Sequence, residues 1–149
     1  MPRATRLSLI VLGIVVFLAI SFVLARWLTT ESRERSAVFD LLKAQARGDP
    51  RAMLADLDGC VRSPSCRAQV EANAARLRRA GNVKILAYDS KTAYTLGAAE
   101  GLTRVAWTVI DNGLPVVQCV DVRRGGNVLT GRTVTLRRLS APIGRQSPC

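Results

Sequence analysis

The chain has 149 residues, with 22 Lys and Arg against 11 Asp and Glu, four cysteines and no histidine. That length allows one modest domain with a single core beside whatever the opening segment does. The lack of histidine excludes Ser-His-Asp and Cys-His catalysis and leaves any general base to an Asp, Glu, Lys or Tyr with a strongly displaced pKa.

The first element is LSLIVLGIVVFLAISFVLARWL, residues 7–28, uncharged until Arg26. At about 1.5 Å per residue it can cross a hydrocarbon layer of about 30 Å, so it predicts a transmembrane helix with membrane lipid as its partner. Trp27 falls where an indole sits at the headgroup boundary, and Arg3 and Arg6 flank the other end. A cleaved leader is the competing reading. The apolar run, however, exceeds the roughly 7–15 residues of a leader, and only the weak Ala19-Ile20-Ser21 site closes it. Residues 1–6 are therefore expected in the cytoplasm, 29–140 as an extracytoplasmic domain and 141–149 as a tail. Arginine counting does not set this orientation, since Arg3 and Arg6 oppose Arg26, Arg33 and Arg35.

Beyond the span, ESRERSAVFDLLKAQARGDP places Val38, Leu41, Leu42 and Gln45 at helical spacing and stops at Gly48. Thr29, Thr30 and Glu31 contain no strong breaker, so this helix can continue from the first. Asp49-Pro50 pairs an N-cap acceptor with a first-turn proline and predicts a short helix with Met53, Leu54 and Leu57 inward. Ser63-Pro64 opens a third, with Val70, Asn73, Ala74 and Leu77 on one face and Arg76, Arg78 and Arg79 in its last turn before Gly81.

Between the second and third helices lies CVRSPSC. Zinc coordination usually takes close pairs such as C-x2-C, whereas Cys60, Cys66, Cys119 and Cys149 are widely and unequally spaced, so no metal site is expected. C-x5-C is not the redox-active C-x-x-C either. A bridge between Cys60 and Cys66 around Ser63-Pro64 is the easiest to form, and elimination then joins Cys119 to Cys149, closing a loop worth about 3 kcal/mol. Disulfides imply an oxidising compartment outside the cytoplasm; the alternative is four free thiols in a cytosolic domain.

From Val83 the hydrophobic period falls to two. Strands are predicted at 83–88, 92–97, 102–110, 116–123 and 128–139, with turns at Asp89-Ser90, Glu100-Gly101, Asn112-Gly113 and Gly125-Gly126. Short connections imply an antiparallel meander. The fold class is α+β: three helices packed on a curved antiparallel sheet of four to five strands.

This order, with LLKAQARGDPRAMLADL running from helix through a Gly-Asp stop into a short helix, resembles the NTF2-like superfamily over residues 31–140. The resemblance implies a curved sheet wrapped partly round the long helix, a pocket at the open end, and a family of both enzymes and non-catalytic modules. Its enzymes commonly use a His and Asp pair, which this chain cannot supply. Membrane-tethered relatives, the VirB8-like components of conjugation machines and the Mce-associated proteins of actinobacteria, are similar in architecture.

For a pocket, Tyr88, Tyr94, Trp107 and Asp121 are candidates for the hollow side of the sheet, where an acid among aromatics has its carboxyl pKa raised. The simpler reading makes Trp107 core and Asp121 solvated or paired. No catalytic residue, cofactor or phosphate-binding loop is expected. Once Arg3, Arg6 and Arg26 are set aside, 19 basic residues face 11 acidic ones, a field that attracts anionic lipid or an anionic envelope component. Nucleic acid is not expected, because the few aromatics do not alternate with arginines. The arginine bias suggests a bacterium with a GC-rich genome. Two functions follow. One is a non-enzymatic, membrane-anchored extracytoplasmic module in an envelope assembly, binding a protein or pairing with itself through the sheet. The other is a tethered pocket domain or enzyme using Asp121 or Asp111 as acid or base.

Overall fold

The computed structural model describes residues 3–91, 99–110, 113–127 and 131–149, with the backbone alone at 3–7, 26–31, 127, 131 and 132. Helix α1 (Arg3–Arg47) carries both the apolar segment and the first amphipathic helix without a break. At 1.5 Å per residue it is about 68 Å long. Its stretch Ser8–Ala25 is not buried in the domain and is long and apolar enough to cross a membrane. Its other end is the core helix, with Val38, Leu41, Leu42 and Gln45 all fully buried. The helix stops where Gly48 adopts a φ of 71°, its N–H donating to Gln45 O while Asp49 N–H reaches back to Ala44 O. This double bond to the last carbonyls is open to glycine at little steric cost.

Helix α2 (Pro50–Asp56) follows, with the Asp49 carboxylate accepting from the N–H groups of Arg51 and Ala52, both at 3.1 Å. A 3-10 turn, Cys60–Arg62, leads to α3 (Pro64–Arg76), capped by the Ser63 hydroxyl. Helix α3 is shorter than predicted. Arg78 and Arg79 lie beyond it, because Arg79 N–H pairs with Ala46 O at the end of α1 and so leaves the helical ladder.

Strands β1 (Val83–Ser90), β2 (Ala99–Val109), β3 (Val116–Asn127) and β4 (Gly131–Leu139) form an antiparallel meander in the order β1-β2-β3-β4. Three predicted turns are strand instead. Asp89-Ser90 pairs with Thr103 and Arg104, Glu100-Gly101 with Val122 and Arg123, and Gly125-Gly126 with Arg132 and Thr133. Opposite charges across the ladder help explain the first two, since Asp89 faces Arg104 and Glu100 faces Arg123. The strand predicted at 92–97 lies outside the described residues.

One sheet face meets α1 and α3. It presents Ile85, Val105, Trp107, Val120, Val122, Leu136 and Leu139 to Val38, Leu41, Leu42 and Val70. The other face receives the C-terminal tail. Ser140 N–H donates to Cys119 O, Ile143 N–H donates to Val117 O, and Cys149 is bonded to Cys119. Arg104 donates to the carbonyls of Arg145 and Ser147. Val117, whose register puts it on that outer face, is therefore only 4% exposed.

Candidate functional site

The helical stripe that buries Val38 and Leu42 extends back one turn to Glu34, and the inward positions of β3 extend through Val120 and Val122 to Arg124. Two opposite charges thus meet inside the domain. Glu34 is 0% exposed and Arg124 7%. Arg124 Nε–H donates to Glu34 Oε2 at 2.7 Å, and its Nη2 pairs with the same oxygen. Oε1 accepts from Tyr88 O–H at 2.6 Å, Thr103 O–H at 2.8 Å and Ser90 O–H at 3.1 Å.

Burial alone would push the Glu34 carboxyl up. The hydrogen bonds from Tyr88, Thr103 and Arg124, together with the guanidinium charge, outweigh that and hold it below the ordinary glutamate range. Burial drives the Tyr88 phenol the other way, upward, and the bond to the anion reinforces it. The fully buried carboxylate stays charged and the half-buried phenol stays protonated. The arrangement acts as a clasp joining β1, β2 and β3 to α1 a few residues after its apolar segment.

A second polar network lies further along the core. Trp107 Nε1–H donates to Gln118 Oε1 at 2.8 Å and Gln45 Nε2–H to the same oxygen at 2.9 Å. Gln118 and Asn73 side-chain amides both donate to Ser140 O at 2.9 Å. It ties α1, α3 and the start of the tail to the sheet, and no buried polar side-chain atom among the described residues lacks a partner.

The residues proposed as a pocket lining are divided by the sheet. Tyr88 and Trp107 point to the helix side, Trp107 fully buried as core and Tyr88 in the clasp. Asp121 belongs to the opposite register set, opposite Leu102 on β2 and Arg138 on β4. It borders a shallow hollow of about 280 Å³ beside Cys60, Cys66, Arg137 and Arg138. The expected acid-among-aromatics constellation is therefore not assembled, because strand alternation sends Asp121 away from Trp107. Tyr94 and Asp111 lie outside the described residues. The four cysteines are paired as expected, Cys60 with Cys66 and Cys119 with Cys149. Among the described residues no cluster of metal-ligating side chains forms.

Sequence reasoning missed Glu34, Ser90, Thr103 and Arg124. The available signal was a charge on an otherwise apolar helical stripe, matched by an opposite charge on the inward parity of a strand.

The surface also carries a long cleft between α1 and strand β1, an edge of the described sheet. Ser32, Arg35, Ser36, Phe39, Lys43 and Arg47 form its helical wall, at the spacing of one helix face. Val83, Lys84 and Ile85 form the other wall, and Arg78 and Arg79 close the far end. Two hollows, about 940 and 420 Å³, share Phe39 and Val83 and so form one groove. Its floor is apolar and its rim cationic. Lys43 is 3.5 Å from Asp40 and lies over the Phe39 ring, while Arg79 donates to Leu114 O.

Comparison with protein-family models, curated proteins and solved structures finds no match for this chain.

Proposed function

We propose that this chain is a single-pass membrane protein whose extracytoplasmic α+β domain is a non-enzymatic binding module of a cell-envelope assembly. The observation that carries the reading is the exposed apolar stretch Ser8–Ala25, continuous with the helix that forms the core of a domain closed by two disulfides. An apolar helix of that length outside any protein core needs a lipid environment, and paired cysteines suit an oxidising one. The clasp supports the same reading: it fixes the sheet to the helix just past its apolar end, so the domain is held at a set orientation. The helices-then-meander order is compatible with an NTF2-like domain.

In this reading the tail, pinned by Cys149, occupies part of the outer sheet face through which self-association was expected. Among the described residues the α1–β1 cleft offers an open surface. The test is labelling with a membrane-impermeant thiol reagent in intact cells. Labelling only after reduction is expected; labelling that needs lysis but no reduction would overturn export.

A further inference from the structure

We infer that the membrane-proximal half of the α1–β1 cleft is a binding site for the headgroup of an anionic phospholipid from the leaflet in which the protein is anchored. The inference rests on the membrane-anchored reading above. Ser32 and Arg35 lie four and seven residues beyond Leu28, about 6 and 10 Å along the helix axis. A headgroup layer is about 5–8 Å deep on each side of the hydrocarbon, so the mouth of the cleft opens at its outer limit.

At that mouth Ser32, Arg35 and Ser36 line the cleft from α1 and Lys84 lines it from β1. Two cations and two hydroxyl donors are what a phosphodiester oxygen pair takes. Charge complementarity and the position along α1 favour the same occupant.

The experiment uses the full chain in a neutral maltoside detergent, with phosphatidylglycerol and phosphatidylcholine added separately and retained lipid counted by native mass spectrometry. One phosphatidylglycerol per chain is expected, held in clear preference to phosphatidylcholine. Arg35→Gln with Lys84→Gln should weaken that retention about thirtyfold, since each near-surface cation contributes about a factor of five. Arg62→Gln with Arg67→Gln, which removes equal charge from the α3 region, should leave it unchanged.

Equal retention of the two lipids, or equal loss in both double variants, would overturn the site. So would displacement by millimolar glycerol phosphate, which would identify a soluble anion as the ligand, or a dimer mass lost in Arg35→Gln/Lys84→Gln, which would put a second copy in the cleft. Failure here with export intact in the thiol-labelling test removes this inference alone.

Discussion

Replacing Glu34 by Gln keeps the shape of the clasp and removes its negative charge. Arg124, whose side chain is 8% exposed, then remains in the interior without the Glu34 charge, while three hydroxyls face an amide in place of a carboxylate. Breaking one member of a buried ion pair costs about 3–5 kcal/mol. Against the roughly 5–15 kcal/mol that holds a domain of this size together, that is a large share. The expected measurement is urea unfolding of the full chain in detergent, with the midpoint falling and the slope unchanged. The Glu34→Met, Arg124→Met double variant should recover most of the loss, because two apolar chains of similar length leave no stranded charge. A loss below about 1 kcal/mol in Glu34→Gln, or a double variant as damaged as the single, would refute the claim that the pair is buried and mutually dependent. The same clasp sets a pH signature. Its folded carboxyl pKa lies below the ordinary 4.5, so the stability it contributes is complete above that value and is lost as pH falls through the folded pKa. Wild type and Glu34→Gln should therefore converge in acid, and a constant gap down to pH 2 would contradict the sign.

Two further outcomes follow from the packing. Trp107→Ala removes a fully buried indole and a donor to Gln118, and should cost about 3–5 kcal/mol in the same unfolding assay, whereas an indole at the surface would hardly register. Cys119→Ser with Cys149→Ser opens a loop with a sequence separation of 30 and should lower stability by about 3–4 kcal/mol. It should also raise amide exchange at Ile143 and Ser147 before the sheet itself opens, and simultaneous exchange would show that the tail does not fray separately.

Much of the architecture can be read locally. The Gly48 stop, the Asp49-Pro50 and Ser63-Pro64 starts and the alternating second half each encode a nearby hydrogen-bonding or steric event, so the helix starts, the antiparallel order of the described strands and the cysteine pairs are legible in the sequence. The turns were less legible. Asp89-Ser90 and Gly125-Gly126 have turn chemistry, but the partner strand supplies cross-ladder bonds that a linear pattern does not reveal.

From the amino-acid order alone came an apolar helix of membrane-crossing length, three amphipathic helices, a β-rich half and a strongly basic surface. These properties depend on neighbours within one or two turns, or on composition. Only the tertiary structure brought Glu34 to Arg124 across 90 positions, separated Asp121 from Trp107, folded the tail over Val117 and opened the cleft beside β1. Each of those depends on which strand register and helix face win when the core closes, and that choice is made by packing between segments far apart in the chain.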